Sequence, residues 1–126
     1  ERDAVVDAYG LDMGRTVSMD STLMYEAIRI GDVDVISAFS SDGRIPAYDL
    51  VVLEDARNAL PPYDAILLVQ PELLDDKHAA KALRSLIGSI DDQSMRTANK
   101  IVDVDRDSVA AAVDYLLEVI EDDDGE

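Results

Sequence analysis

The sequence predicts an α/β fold in which three to four short strands are flanked by helices. Two observations carry this. Short, near-continuous apolar runs rich in valine, isoleucine and leucine recur at strand length, bounded by turn residues. Segments with apolar residues at helical spacing alternate with these runs and follow them, several opened by a capping residue.

In chain order, Arg2 to Tyr9 reads as the end of a helix, with Val5, Val6 and Tyr9 apolar and Gly10 as its stop. Thr16-Val17-Ser18 is a weak extended stretch. Asp20 or Ser21 caps a helix to about Ile30, with Leu23, Met24, Ala27, Ile28 and Ile30 expected on its buried side, Tyr25 packing, and Gly31 ending it. Val33 to Phe39 is the clearest strand, and Ser40-Ser41-Asp42-Gly43 is a turn by composition. Asp49 to Leu53 is a second buried strand. Pro61-Pro62 punctuates the chain, and Ala65 to Val69 is a third strand closed by Pro71. The remainder reads as helical. Lys77 to Ile87 places Ala79, Ala80, Leu83, Leu86 and Ile87 on one side. Asp91 caps a helix to about Val102, and Asp107 or Ser108 caps another to about Ile120.

Strands this apolar expect cover on both faces. Three good strands and a weak one make a thin sheet, so partner strands are expected either from sequence outside this chain or from another chain. The chain opens at Glu1 in what already reads as a helix, as expected of a mature or excised piece of a longer protein.

Composition narrows the function classes. The 126 residues suit one domain, and 48% hydrophobic content argues for a real core. The net charge of -17, from 28 acids against 11 bases, leaves no basic patch for nucleic acid and disfavours an anionic membrane surface. Asp outnumbers Glu, and lysine stands only at Lys77, Lys81 and Lys100. Such dispersed acidity keeps a protein hydrated, and salt screens its self-repulsion, the pattern of halophilic adaptation. An ordinary acidic protein with an acidic tail at Asp122, Asp123 and Asp124 is the other reading. Cysteine is absent, so there is no disulfide frame and no thiolate metal site. No apolar run approaches a membrane span.

One stretch is specific. It runs Met19-Asp20-Ser21-Thr22-Leu23-Met24-Tyr25-Glu26-Ala27-Ile28, then Gly31-Asp32-Val33-Asp34-Val35-Ile36-Ser37-Ala38-Phe39-Ser40-Ser41-Asp42-Gly43-Arg44-Ile45. It continues with Ala47-Tyr48-Asp49-Leu50-Val51-Val52-Leu53-Glu54-Asp55 and closes on Pro61-Pro62-Tyr63-Asp64-Ala65. This order of motifs resembles the quaternary-amine substrate-binding proteins of ABC importers for glycine betaine, choline, carnitine and proline betaine. The likeness extends upstream through Ala8-Tyr9-Gly10-Leu11 and downstream to Asn99 and Val102-Asp103-Val104, in effect the whole chain.

The resemblance implies part of a type II periplasmic-binding-protein fold, a Venus flytrap whose ligand is caught between two lobes. Residues 1–55 resemble the later part of the inserted lobe and the crossover strand. Residues 56–121 resemble the C-terminal part of the first lobe; 122–126 are expected, from their composition, to form a disordered acidic tail. It implies no catalysis and no cofactor. The partners implied are a small quaternary amine and an ABC permease, met outside the cytoplasm, in the periplasm or at the outer membrane face.

The ligand's chemistry says what to look for. A trimethylammonium group has no N–H to donate, so aromatic faces suit it. A carboxylate tail would take Arg, Lys or backbone N–H donors. By resemblance, Phe39 and Tyr63 are cage walls, Phe39 standing where the family carries Tyr. Both also read as core aromatics. Met19 borders the cleft by resemblance, while its place before a helix start reads as a hydrophobic staple. Ser40 and Asp42 face the cleft in one reading and are a plain turn in the other. Arg44 reads first as the partner of a nearby acid.

Enzyme readings fail on inventory. His78 is the single histidine, no Gly-x-Ser-x-Gly elbow exists, and Gly10 and Gly14 make no phosphate loop. Asp103, Asp105 and Asp107 alternate, but no Gly and Glu follow at EF-hand spacing, so a turn and a helix cap are expected. The leading reading is extracytoplasmic capture of a quaternary-amine osmoprotectant and its delivery to an ABC permease. The alternative is a non-binding interaction domain that forms a homo-oligomer by exchanging elements between chains.

Overall fold

The structure is a computed structural model that describes residues 1–123. Among these residues six helices form: α1 (Arg2–Tyr9), α2 (Ser21–Arg29), α3 (Arg44–Ala47), α4 (Lys77–Ser85), α5 (Asp92–Asp103) and α6 (Val109–Asp123), with a 3₁₀ turn at Pro71–Asp75. The helix reading holds at most starts because a cap is a local contact. Asp20 accepts the Thr22 N–H at 2.9 Å, Asp91 accepts the Ser94 N–H at 2.7 Å, and the Ser108 hydroxyl accepts the Ala111 N–H at 3.1 Å. α1 stops at Gly10, whose φ of 64° a side chain would resist.

The expected α/β fold of three to four strands is not what the chain adopts. Among the described residues there is no strand. The segments Val33–Phe39, Asp49–Leu53 and Ala65–Val69 run without a ladder. A strand is completed by the N–H and C=O groups of a neighbour, and none of these segments finds one here. Their side chains remain uncovered as a result: Val51 is 83% and Leu68 87% exposed, where buried strands would hide them. The weak stretch Thr16–Ser18 is likewise irregular.

The chain divides into two compact units, the first made of Glu1–Asp34 and Val52–Leu67, the second of Val35–Val51 and the chain from Leu68 onward. In the first, α2 buries Tyr25 and Ala27, whereas Leu23 and Ile30, expected on that buried side, are exposed. Glu26 and Arg29 pair on its outer face through two hydrogen bonds.

In the second unit α5 packs on α6 and also carries α3. The buried residues Ile45, Ala98 and Ala112 belong to these three helices. The small side chains Ala98 and Ala112 let helices approach closely. α3 begins where Asp42 accepts the Arg44 N–H at 2.9 Å. Pro46 falls in its first turn, where a missing N–H costs nothing. Between α5 and α6, Lys100 pairs with Asp105 at 2.7 Å and Asp107 accepts the Ser108 N–H, so two of the alternating aspartates serve a turn and a helix start. α4 buries no residue, and Ile87, beyond its end, is 72% exposed. α6 runs to Asp123; of the acidic tail expected at 122–126, positions 124–126 lie outside the described residues.

Candidate functional site

Three of the sequence-derived site residues, Phe39, Ser40 and Asp42, fall on one turn of the second unit. The turn closes with the Asp42 N–H donating to the Phe39 carbonyl at 3.1 Å. Asp42 then grips Arg44. Its Oδ1 accepts from the Arg44 Nε at 3.0 Å and its Oδ2 from the guanidinium at 2.7 Å, on top of the backbone bond that starts α3. The carboxylate thus shapes the turn, and Arg44 has the acidic partner its surroundings predicted.

The turn is laid against α5. Arg96 Nε donates to the Ser40 carbonyl, and Asn99 Nδ2 donates to the Ser41 carbonyl at 2.8 Å. One residue further on, Gly43 presses on the helix backbone itself. A Cβ there would stand 2.3 Å from the Lys100 nitrogen and 2.6 Å from its Cα. Gly43 has φ of -66°, so glycine is required by this approach and not by a left-handed backbone. The Ser-Ser-Asp-Gly-Arg-Ile run therefore has a mechanical meaning. It supplies two carbonyls for α5, a helix start, a point of contact without a side chain, and a core residue in Ile45. The Phe39 side chain just before it is 66% exposed, which argues against its reading as a core aromatic of this chain.

Sequence reasoning did not single out Arg96, and named Asn99 only as part of the family likeness, with no role. Their spacing, three apart and so on one face of α5, was the signal available.

Met19 and Tyr63 belong to the first unit. Met19 is half-buried at the position before the Asp20 cap, and Met24, also half-buried, stands at the fourth helical position. These are the two positions of a hydrophobic staple. Tyr63 follows Pro61-Pro62 and is 75% exposed, again unlike a core residue.

The same unit contains a polar clasp that the sequence did not reveal, because its members lie far apart along the chain. The Tyr9 hydroxyl, at the end of α1, donates to Asp55 Oδ1 and accepts the Arg57 N–H at 2.9 Å. Asp55 Oδ2 accepts the Leu60 N–H at 2.8 Å. The Arg57 guanidinium lies 5.1 Å from the centre of the Tyr9 ring and donates to the Ala8 carbonyl. The Tyr9 hydroxyl, then the Leu60 and Ala59 N–H groups, hold the Asp55 carboxyl below the usual carboxylate range. The same bond to Asp55, helped by partial loss of water, pushes the Tyr9 hydroxyl up.

Residues 1–118 match the family described as the substrate-binding domain of ABC-type glycine betaine transport systems. The chain belongs to this family. Among its relatives, the carnitine transport binding protein OpuCC of Listeria monocytogenes is 34% identical over 93 residues, 73% of this chain and 30% of that protein. The glycine-betaine-binding protein of Pseudomonas aeruginosa is 30% identical over 125 residues, 95% of this chain and 40% of that protein. The ergothioneine transport permease/ergothioneine binding protein EgtU of Helicobacter pylori is 27% identical over 115 residues, 90% of this chain and 21% of that protein. The chain thus spans well under half the length of each relative. No helix among the described residues is long and apolar enough to cross a membrane.

Proposed function

We propose that the chain is part of a capture domain for glycine betaine or a related quaternary amine, working outside the cytoplasm and handing its ligand to an ABC permease. The family match over residues 1–118 carries this reading. The names of the relatives support the ligand class. Carnitine, glycine betaine and ergothioneine share a trimethylammonium group and a carboxylate, a cation that cannot donate a hydrogen bond joined to an anion that can accept several. Phe39 and Tyr63 are the walls for the cation, their ring faces offering the electron-rich surface such a group seeks. Their exposure fits a role toward something other than the core of this chain. Ser40 and Met19 border the ligand, and Asp42 shapes the turn beneath it. Residues 1–55 then belong to the inserted lobe and the crossover segment, and 56–121 to the C-terminal part of the first lobe. The net charge of -17 suits function in saline surroundings, where osmolyte uptake matters. The role is binding and transfer, with no bond made or broken.

Calorimetric titration tests this. Glycine betaine, carnitine and choline are titrated in molar salt into the full-length protein that carries this chain, with the 126-residue chain alongside. The full-length protein should bind at least one of them. Tyr63→Ala should weaken that binding by about 1–2 kcal/mol, the scale of a desolvated cation–π contact. Unchanged affinity would remove Tyr63 from the site. Failure to bind any quaternary amine would leave the motifs as marks of ancestry alone.

A further inference from the structure

We propose that Arg96 and Asn99, two residues on one face of α5, are positioning residues that hold the Phe39 ring in place for its ligand. The inference rests on Phe39 being a wall of the amine site and adds what keeps that wall still.

The two sides of Phe39 along the chain differ. Upstream, Val33 to Ala38 form no ladder, and Val35 is 58% exposed. Downstream, the backbone attachments are dense and consecutive. The Ser40 carbonyl receives Arg96, the Ser41 carbonyl receives Asn99, Asp42 ties back to the Phe39 carbonyl, and Gly43 lies flush on the α5 backbone. Helix α5 is itself braced by α6, and its own start is capped by Asp91. A rigid element thus reaches the ring in two steps, through one amide, one guanidinium and the backbone carbonyls next to it.

The choice of partners supports a positioning role. In a chain with 28 acids and 11 bases, Arg96 gives its Nε to a neutral carbonyl, while its guanidinium also pairs with Asp92 at 3.7 Å. Asn99 cannot form an ion pair at all, and its N–H is spent on the turn. A ring held in advance loses less freedom when a ligand arrives, so weakening these bonds should reduce affinity without removing any ligand contact.

The chain has no tryptophan, so a Phe39→Trp variant places a single reporter at the ring. The anisotropy of this ring reporter and its quenching by acrylamide are measured with Asn99 and Arg96 intact, then with Asn99→Asp, Asn99→Gln and Arg96→Ala. A Tyr115→Trp chain carrying the same changes supplies a helix reporter on α6 instead. Asn99→Asp and Arg96→Ala should lower the anisotropy of the ring reporter and increase its quenching, while the helix reporter stays unchanged. Asn99→Gln, which keeps an amide donor, should restore much of the signal. In the full-length protein with Phe39 native, the same two changes should weaken glycine betaine binding roughly three- to tenfold. The proposal is overturned if the ring reporter is unaffected, if the helix reporter loosens as much as it does, or if the ring reporter loosens and amine affinity does not change. If the ring reporter loosens selectively and no amine binds even the unaltered protein, α5 does hold the ring and it is the amine reading that fails.

Discussion

Replacing Gly43 by alanine should separate α3 from α5. The new Cβ would lie 2.3 Å from the Lys100 nitrogen, 2.6 Å from the Lys100 Cα and 2.7 Å from the Asn99 carbonyl carbon. Comfortable non-bonded contact begins near 3.5 Å, so the two backbones must part by about 1 Å or more. All three atoms are backbone within a helix, and no side chain can swing aside. Overpacking costs about 1–3 kcal/mol, and the upper end applies where nothing can yield. For a chain of this size about 3 kcal/mol corresponds to roughly a 10 °C drop in melting temperature. The assay is thermal and urea unfolding followed in a Tyr115→Trp background, whose single tryptophan reports the second unit. Gly14→Ala is the control, since a Cβ there meets nothing within 4 Å; its effect should stay within about 0.5 kcal/mol. If Gly43→Ala melts within about 2 °C of the parent, the approach of turn to helix is not as close as described, and its consequences for Phe39 fall with it.

The Tyr9–Asp55 clasp should respond to pH at both ends. Asp55 is held low in the folded state, so its contribution is full above the ordinary carboxylate range and is lost as pH falls through the folded value. Tyr9 is pushed up, so its contribution is full below the ordinary tyrosine range and is lost as pH rises through the folded value. Amide protection along α1, taken relative to intrinsic exchange at each pH, should fall at both extremes, and Tyr9→Phe should flatten both limbs; an unaltered profile in that variant would dismiss the clasp. Ser108→Ala removes the hydroxyl that accepts the Ala111 N–H and should cost about 1 kcal/mol, seen as faster amide exchange in the first turn of α6. Phe39→Tyr keeps the ring face and should leave amine affinity nearly unchanged; a collapse would mean that the surroundings of the ring are built for Phe.

The helix starts at Ser21, Asp92 and Val109 were legible because each is decided by a contact spanning two or three residues. The short helix Arg44–Ala47 was not read. Pro46 looks like a breaker until its place in the first turn is known, and the turn residues before it gave no hint that they rest on a helix more than fifty residues away. The strand readings failed for a different reason. Apolar character and β-branching at Val33–Phe39 and Ala65–Val69 are preferences of single segments, while a strand is a property of a pair. The candidate site divides in the same way. Aromatic type at Phe39 and Tyr63 was visible in the motifs. What surrounds Phe39 was not, because Arg96 and Asn99 reach it through carbonyls that no pattern of side chains records.

The bonds from α5 to the Phe39 turn span 56 and 58 positions. On a ribosome adding about 5–20 residues each second, the turn is made roughly 3–11 seconds before the helix that secures it. Through that interval the turn lacks the support that α5 later brings, while Val35, Phe39 and Val51, which stay exposed in the finished chain, face solvent throughout. Loose apolar segments of this kind are where a nascent chain meets chaperones or its own copies. Like charge among the acidic residues interspersed there, at Asp32, Asp34, Asp42 and Asp49, disfavours association of neighbouring chains.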